Sequence, residues 1–333
     1  MSKPAATSSA LLSVRGLKVY FPVRQGGLFG RQLALKAVDG VSFDVRAGET
    51  LGVVGESGSG KSTIGRAVLQ LIKPTAGQVV WLGENIAGFS RAKMKPKRQS
   101  LQIVFQDPLA SLNPRMTAGD IIAEPLDTFE PGIGRDERRR RVEEIMAKVG
   151  LLPQMINRYP HEFSGGQNQR IGIARAMILR PKLIIADEPV SALDVSIRAQ
   201  IINLLGDLQK EFGISLIFIS HDLAVVRHVS HRVLVLYLGK VMEIADSTAL
   251  NARPRHPYTQ ALLSAAPVPD PTVEREKRRI VLQGDLPSPL NPPSGCVFRT
   301  RCPKAQAKCA AEIPKLEPRG GSADHLVACH FPD

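Results

Sequence analysis

The sequence predicts an α/β fold with a parallel sheet, because three strand-length apolar runs alternate with segments of helical spacing. The runs cover residues 50–54, 183–186 and 214–219, and helical spacing follows at 64–72 and again at 195–212. A continuously apolar run is typical of a strand that is buried on both faces, and alternation with helices favours parallel pairing. Each run ends in polar residues, which places candidate chemistry at one edge of the sheet.

The length and composition indicate a globular protein of about two domains. With 333 residues the chain can form a full hydrophobic core, and its apolar content of 43% is ordinary. The sequence contains no run of the ~18 apolar residues that a membrane span needs. Residues 1–10 lack the apolar segment of a secretory signal and are expected to form a flexible tail. We therefore expect a cytoplasmic protein whose contact with a membrane is peripheral.

The chain is basic, with a net charge of +13 and clusters of Lys and Arg at residues 91–98, 135–141 and 275–279. Nucleic acid is one partner that such charge attracts. Aromatic residues make up only 5% of the chain, and none is interleaved with the clusters as a base-stacking platform requires. We therefore expect no nucleic-acid partner, and we interpret the clusters as solvated faces or as surfaces attracted to an anionic membrane leaflet.

The segment after the first apolar run matches G-x-x-x-x-G-K-[ST], which forms a phosphate-binding loop when a strand precedes it and a helix follows. Glycines let the backbone wrap an anion, and the following helix points its positive end at the phosphates. Lys61 is placed to reach the β and γ oxygens, and Ser62 to bind Mg²⁺. The loop consists of Gly55, Glu56, Ser57, Gly58, Ser59, Gly60, Lys61, Ser62 and Thr63.

Residues 11–50 alternate apolar and polar side chains around a Gly-rich stretch at 26–30, which predicts two strands joined by a loop. Tyr20 or Phe21 in the first strand can stack on an adenine ring. A half-buried strand aromatic is an equally good interpretation of each. The loop adds Phe29 as a further candidate for stacking.

A short strand at residues 101–105 and a helical region at about 117–180 come next. Within that region Ser164 is a predicted helix N-cap, so a second helix N-terminus is presented to an anion. A helix cap alone explains the serine. The glycines that follow, Gly165 and Gly166, are poor helix formers and leave the backbone bare, which favours close approach to a ligand.

Two carboxylates, Asp187 and Glu188, end the apolar run at 183–186. Carboxylates at the end of a strand are common on surfaces, but these follow a phosphate loop in the chain. Asp187 is then placed to hold Mg²⁺, and Glu188 to orient or deprotonate a water in line with the γ-phosphate. His221 follows the strand at 214–219, and the same reasoning favours a γ-phosphate contact over a structural role.

Taken in order, these motifs resemble those of the ATP-binding subunits of ABC transporters. Walker A corresponds to residues 55–63, the Q-loop to Gln106, the signature to Ser164, Gly165, Gly166 and Gln167, Walker B to Asp187 with Glu188, the D-loop to residues 191–194 ending at Asp194, and the switch histidine to His221. The resemblance implies an ATPase that uses ATP and Mg²⁺. Asn168 departs from the basic residue that usually follows the signature.

The resemblance also implies the architecture. We expect a P-loop NTPase (RecA-like) core with an antiparallel β subdomain and a helical signature subdomain at about 108–180. The nucleotide-binding domain is expected at 11–250, and a small cysteine-containing C-terminal domain at 251–333.

The resemblance further implies that two such domains face each other. Each nucleotide then lies between the Walker A of one subunit and the signature of the other, where Ser164 and Gly166 touch the γ-phosphate. Asp194 of the D-loop is assigned to nucleotide binding. Gln106 is assigned to the Mg²⁺ site, with Ser62 and Asp187, and to coupling with the transmembrane subunits.

Segments at residues 111–115, 191–196, 255–263 and 286–293 are similar to the dipeptide/oligopeptide importer branch, and most similar to its F-type ATPase subunit. Such importers pair it with a D-type ATPase beneath two permease subunits fed by a peptide-binding protein, at the cytoplasmic face of the bacterial inner membrane. The implied function is ATP hydrolysis that drives peptide import. Import of nickel, haem or glutathione is an alternative, and so is a soluble, non-transport ABC ATPase.

The four cysteines, Cys296, Cys302, Cys309 and Cys329, lie in one Pro-rich C-terminal segment, which indicates a local site. Disulfides are disfavoured in a cytosolic chain. Zinc stays open as an alternative, with His325 and His330 nearby, although the short C-x₂-C spacing of zinc modules is absent. Four thiolates also suit a [4Fe–4S] cluster. The peptide-importer branch has members with a cluster held by a similar tail, so the resemblance implies a [4Fe–4S] cluster here.

Overall fold

The computed structural model describes residues 10–25, 31–266, 275, 279–319 and 321–333. Most of the predicted tail, the Gly-rich stretch at 26–30 with Phe29, and part of the basic cluster at 275–279 lie outside the described residues. The chain divides into two compact units. The first unit comprises residues 1–46, 50–88 and 220–333, and the second unit comprises residues 47–49 and 89–219. The domain boundaries expected from the sequence stay a prediction.

The strands are β1 (Leu12–Gln25), β2 (Arg31–Val45), β3 (Thr50–Val54), β4 (Ala76–Trp81), β5 (Glu84–Asn85), β6 (Leu101–Val104), β7 (Leu183–Asp187), β8 (Ser215–Ser220), β9 (Arg232–Tyr237), β10 (Lys240–Asp246), β11 (Glu317–Arg319) and β12 (Ser322–Val327). The α-helices are α1 (Lys61–Val68), α2 (Arg91–Arg98), α3 (Pro108–Ser111), α4 (Ala118–Phe129), α5 (Arg135–Lys148), α6 (Gly165–Met177), α7 (Val195–Phe212), α8 (Leu223–Val229), α9 (Ser247–Ala252), α10 (Pro257–Ala265) and α11 (Ala307–Ala311).

The first unit contains two groups of strands. An antiparallel sheet has the order β2-β1-β4-β5, which confirms the strand pair predicted within residues 11–50. The second group has the order β11-β12-β10-β9-β3, in which β3 and β9 run parallel. All five residues of β3 are buried, as its apolar run predicts. This strand delivers the chain to the phosphate loop, and α1 leads away from it.

The helix after the phosphate loop begins at Lys61 and ends at Val68, so it starts and ends earlier than the predicted 64–72. It starts early because the loop itself supplies the first turn. It ends early because Gln70 has a φ of 54°, which lies in the left-handed region and cannot continue an α-helix.

The second unit is built on the parallel strands β8-β7-β6. β7 and β8 are buried along their whole length, as the continuous apolar runs predict. The helical region predicted at 117–180 consists of α4, α5 and α6, with 3₁₀ helices at Pro153–Asn157 and Pro160–Glu162 before α6. A proline begins each 3₁₀ helix, where its missing N–H leaves no donor unpaired.

The basic cluster at 135–141 lies on α5 and is largely paired with carboxylates. Arg138 Nε lies 2.8 Å from Asp127 Oδ1, and Arg141 Nη1 lies 2.6 Å from Glu130 Oε2. Such partly exposed pairs contribute about 0–1 kcal/mol each. Within the described ranges, none of the helices has the length and apolar character that crossing a membrane requires.

Glu243 on β10 is a buried charge in the C-terminal part of the first unit, with 0% of its surface exposed. Its carboxylate accepts hydrogen bonds from His325 Nε2 at 2.6 Å and from the backbone N–H groups of Arg255 and His256 at 2.9 and 3.0 Å. Burial acts to raise the pKa of Glu243, but these bonds together outweigh it and hold the pKa below its ordinary value. The ionised carboxylate therefore joins β10 to the segment before α10 and to β12.

His256 precedes α10, and its Nδ1 accepts the backbone N–H of Tyr258 at 3.0 Å. The side chain is 1% exposed. Burial lowers the pKa of His256 to about 4, although the charge of Glu243 acts in the opposite direction. The imidazole is therefore neutral at pH 7.

We expect acid to destabilise the fold through His256. Its pKa is about 4 when folded and 6.5 by reference when unfolded, so the unfolded chain binds more protons between these values. Stability therefore falls as the pH decreases from 6.5 towards 4, with a loss of about 2 kcal/mol between pH 7 and pH 5. Urea denaturation at the two pH values measures this loss.

His256→Asn keeps an acceptor for the Tyr258 N–H and removes the titrating group. The stability that this variant loses between pH 7 and pH 5 should therefore be smaller than the wild-type loss by about 2 kcal/mol. His228→Asn, at an exposed position on α8, is the matched control and should behave as the wild type. Equal losses in both variants and the wild type would show that His256 is not the titrating group.

Candidate functional site

The phosphate loop follows β3, and its shape depends on glycines. A Cβ atom at Gly55 would lie 2.1 Å from the carbonyl oxygen of Leu236, and one at Gly60 would lie 2.2 Å from that of Ala37. Gly60 also has a φ of 102°, in the left-handed region. Neither position has room for a side chain, because a backbone carbonyl cannot move aside. The loop therefore has the bare, closely packed backbone that wrapping a phosphate requires.

Lys61 lies at the start of α1 with its ammonium group inside the loop. Its Nζ donates to the carbonyl oxygens of Gly55 and Glu56 at 2.8 and 3.0 Å, and the residue is 4% exposed. Ser59 Oγ is buried and has no hydrogen-bond partner among the described residues. A buried hydroxyl left in this state, beside a buried cation, fits an anionic ligand. The phosphate groups of ATP therefore suit the donors that the loop offers.

The remaining loop residues differ in exposure. Ser57 and Gly58 are exposed, whereas Ser62 and Thr63 are half-buried in the first turn of α1. A hydroxyl in that turn is well placed for a metal ion bound to phosphate oxygens. The predicted role of Ser62 as an Mg²⁺ ligand stays a prediction.

Tyr20 and Phe21 are half-buried neighbours on β1, so their side chains point to opposite faces of the sheet. The Tyr20 hydroxyl donates to Asp39 Oδ1 at 2.6 Å, and Lys36 Nζ lies 6.0 Å from the ring centre. Burial, reinforced by Asp39, raises the pKa of Tyr20 to about 12. The hydroxyl therefore stays a neutral donor. Adenine stacking by either residue stays a prediction.

His221 is exposed and lies directly before Asp222, the N-cap of α8. Asp222 Oδ1 accepts the backbone N–H groups of Ala224 and Val225 at 2.9 and 3.3 Å. This cap fixes the start of α8 and with it the backbone that carries His221. The γ-phosphate contact assigned to His221 stays a prediction.

In the second unit, Gln106 and Glu188 come together. Gln106 Nε2 donates to Glu188 Oε2 at 3.1 Å. Glu188 has a φ of 47°, which is uncommon for a residue with a side chain, and its N–H donates to the carbonyl oxygen of Ile219 at 3.0 Å. Asp187, immediately before it, ends β7 and is 1% exposed. The strand end thus presents one buried carboxylate and one that an amide orients, a pair suited to a metal and a water.

Ser164 is the N-cap of α6, as predicted. Its Oγ accepts the backbone N–H of Gln167 at 3.3 Å, and Gln167 Oε1 accepts the N–H of Ser164 at 2.9 Å. Ser164 and Gly165 are exposed. Gly166 is buried, and a Cβ there would lie 2.4 Å from Ile197 Cγ2 on α7. Close packing of α6 on α7 is therefore a second reason for this glycine, and it was not foreseen from the sequence.

Asn168 in α6 and Asp194 before α7 are two further residues that the sequence singled out. Asn168 is 1% exposed, and its Nδ2 donates to the carbonyl oxygens of Pro160 and Phe163 at 3.0 and 3.3 Å. The residue ties α6 to the turn before it, which accounts for an amide at this position. Asp194 is exposed and precedes α7 without capping it through its side chain. Its role in nucleotide binding stays a prediction.

The predicted [4Fe–4S] cluster is wrong. The described residues include all four cysteines, and they contain no group of three or more Cys, His, Asp or Glu side chains that could hold a metal ion. The same finding counts against the zinc alternative. Burial raises the pKa of Cys296 to about 11 and also raises the pKa of Cys302 and Cys329. These thiols are therefore protonated at neutral pH.

Two contacts at the phosphate loop had no signal in the sequence. The backbone N–H of Glu56 donates to Tyr258 Oη at 3.0 Å, and Arg301 Nη1 donates to Glu56 Oε2 at 2.8 Å. Tyr258 belongs to a segment that carried the resemblance to peptide importers, but nothing in its sequence indicates a contact with residues about 200 positions away.

Comparison with known proteins gives family and fold. The ABC transporter family matches residues 38–191, and the oligopeptide/dipeptide transporter C-terminal region matches residues 242–309. The oligopeptide transport ATP-binding protein OppF of Salmonella typhimurium is 59% identical over 321 residues, which cover 96% of this chain and 95% of the relative. AppF of Bacillus subtilis, also an oligopeptide transport ATP-binding protein, is 56% identical over 329 residues, which cover 98% of this chain and 99% of the relative.

Solved structures support the same conclusion. The ATP-binding cassette MJ0796, in a dimeric post-hydrolysis state bound to ADP and Pi, matches with a TM-score of 0.63 and 29% identity over 71% of this chain and 98% of that chain. The cbiO1 protein of Clostridium perfringens, part of the ABC transporter complex cbiONQ, matches with a TM-score of 0.62 and 28% identity. The match covers 73% of this chain and 91% of that chain. The predicted P-loop fold class is confirmed.

Gly60→Ala should abolish nucleotide binding. The added Cβ meets the Ala37 carbonyl oxygen at 2.2 Å, and the φ of 102° is unfavourable for alanine, so the loop must change shape. Gly58→Ala is the matched control, because a Cβ there has nothing within 4 Å. Its φ of 76° still costs about 1 kcal/mol. Binding of a fluorescent ATP analogue should be lost in the first variant and at most modestly weakened in the second. Normal binding by Gly60→Ala would contradict the loop geometry.

Proposed function

This chain belongs to the family of ATP-binding subunits of ABC-type oligopeptide transporters, and we propose that it binds and hydrolyses ATP to drive the import of di- and oligopeptides. The observation that carries this proposal is the phosphate loop, where glycines at positions 55 and 60 permit close backbone packing around the Lys61 ammonium group. The peptide class of the cargo follows from the full-length similarity to OppF and AppF.

When the nucleotide binds, Lys61 changes its hydrogen-bond acceptors. Its ammonium group exchanges the carbonyl oxygens of Gly55 and Glu56 for the β- and γ-phosphate oxygens, because a charged acceptor forms the stronger hydrogen bond. Mg²⁺, when bound, neutralises charge that develops on the phosphates. Ser62, Asp187 and the amide oxygen of Gln106 are its proposed ligands.

Hydrolysis uses the oriented carboxylate of Glu188. Gln106 holds one carboxylate oxygen at 3.1 Å, so the other is directed to accept a proton from the attacking water. The backbone conformation of Glu188, with its φ of 47°, contributes to this direction. His221 contacts the γ-phosphate as it is released.

The proposed partners are two permease subunits, a peptide-binding protein and a D-type ATPase. Exposure of Ser164 and Gly165 at the N-terminus of α6 supports the pairing with a second ATPase, since this positive helix end is open to an anion that another subunit carries. We place the chain at the cytoplasmic face of the bacterial inner membrane, where the permeases hold it. The exposed Lys and Arg side chains of α2 suit a surface beside anionic lipids.

Glu188→Gln tests this function in the assembled transporter. The amide still fits but cannot accept a proton, so ATP hydrolysis should fall by about 100-fold or more while ATP stays bound. Glu144→Gln, which changes an exposed carboxylate on α5, is the control and should hydrolyse ATP as the wild type does. Phosphate release and retention of labelled ATP are the measurements. Undiminished turnover in Glu188→Gln would remove this residue from the mechanism.

A further inference from the structure

The C-terminal part of the first unit contacts the phosphate loop at Glu56. The backbone N–H of Glu56 donates to Tyr258 Oη at 3.0 Å across 202 positions of sequence. The Glu56 carboxylate accepts from Arg301 Nη1 at 2.8 Å across 245 positions. Tyr258 lies on α10, and Arg301 lies beside Cys302 in the cysteine segment. One loop residue is thus held through both its backbone and its side chain.

The contact with Tyr258 acts on the peptide group that also holds Lys61. The N–H of Glu56 and the C=O of Gly55 belong to the same planar peptide group. Tyr258 Oη accepts from the N–H on one side, and Lys61 Nζ donates to the carbonyl oxygen on the other side at 2.8 Å. Because the group is planar, fixing the N–H direction fixes the carbonyl direction. Tyr258 therefore fixes the orientation of this peptide group of the loop, and with it the carbonyl oxygen that holds Lys61 until the phosphates replace it.

Tyr258 itself is held rigidly. The residue is 0% exposed, and its ring centre lies 4.8 Å from that of Tyr237 and 5.3 Å from that of Phe298. Burial raises the pKa of Tyr258 above its ordinary value, so the hydroxyl is neutral at physiological pH. A neutral oxygen on an immobilised ring is a fixed acceptor for the Glu56 N–H.

The ion pair between Arg301 and Glu56 is partly shielded from solvent. Its side chain is 11% exposed, and that of Glu56 is 29% exposed. Removing one member of such a pair leaves the other charge without its partner in a low-dielectric surrounding, which costs more than losing a surface ion pair. The pair therefore restrains the first turn of the loop.

We propose that Tyr258 and Arg301 are positioning residues for ATP binding, through which the C-terminal segment holds the phosphate loop in the shape that receives the phosphates. The proposal rests on the proposed function of the loop. Neither residue touches the reacting atoms, so both act through Glu56. Their loss should therefore weaken ATP binding and raise KM, with little change in the kcat of the bound complex.

The test uses the full-length chain for binding of MANT-ATP, a fluorescent ATP analogue, and the assembled transporter for ATP hydrolysis. Tyr258→Phe removes only the hydroxyl and keeps the ring packing. An unpaired backbone N–H should weaken binding and raise KM by about 5- to 100-fold, with kcat within about twofold of the wild type. Arg301→Gln should act in the same direction, and Arg301→Lys should restore part of the loss.

Arg299→Gln is the matched control. Arg299 lies in the same segment, but its Nε and Nη2 donate to Ser294 at 3.0 and 3.4 Å and not to the loop. This variant should bind MANT-ATP as the wild type does. A loss equal to that of Arg301→Gln would indicate a general effect on the segment and would overturn the positioning role of Arg301.

The double variant Arg301→Gln with Glu56→Gln tests whether Arg301 affects ATP affinity through Glu56 or through a general change in the segment. If Arg301 acts through Glu56, the double variant should lose no more affinity than the weaker-binding single variant. Additive losses would overturn that link. Thermal unfolding midpoints near that of the wild type confirm that each variant is folded.

Lys61→Ala distinguishes failure of this inference from failure of the proposed function. Equal binding of MANT-ATP by the wild type and Lys61→Ala would contradict the nucleotide site itself. Binding that depends on Lys61 but is unchanged in Tyr258→Phe and Arg301→Gln, with unchanged KM, would overturn the positioning inference alone.

Discussion

The phosphate loop lies so close to its neighbours that two of its positions have no space for a Cβ atom. The carbonyl oxygens of Ala37 on β2 and Leu236 on β9 occupy that space at Gly60 and Gly55. Both strands therefore set the shape of the loop, and the chain can follow it only with glycine. The burial of Lys61 and the contacts of Glu56 depend on this shape. A change in either strand is thus expected to reach the nucleotide site through backbone geometry.

In the second unit, backbone strain at Glu188 helps to shape the site. A φ of 47° at Glu188 costs about 1 kcal/mol or more relative to the right-handed region. Hydrogen bonds hold it in place: the Glu188 N–H donates to the Ile219 carbonyl oxygen, and Ser191 Oγ donates to the Glu188 carbonyl oxygen at 3.0 Å. The strain turns the carboxylate towards the Gln106 amide. Strain of this kind persists where surrounding contacts determine the conformation, and functional sites often show it.

Local features of fold and site could be predicted from the sequence, whereas distant contacts could not. The phosphate loop, β3, β7 and the Ser164 cap depend on residues close together in the chain, so spacing and residue type predicted them. The contacts of Glu56 with Tyr258 and Arg301 join segments more than 200 positions apart and leave no local pattern. The early end of α1 depends on the conformation of Gln70, which its residue type does not indicate. The iron–sulfur prediction failed because it rested on a likeness of the cysteine tail, whereas metal binding depends on how side chains are arranged in space.

Peptide uptake by whole cells tests the central claim most directly. Bacterial cells from which the gene for this chain has been deleted should lose energy-dependent uptake of a labelled tripeptide. The wild-type chain should restore it, and Lys61→Ala, expressed to the same level, should not. Uptake that survives the deletion, or that Lys61→Ala restores as well as the wild type, would contradict the assignment of this chain as the ATP-hydrolysing subunit of a peptide importer.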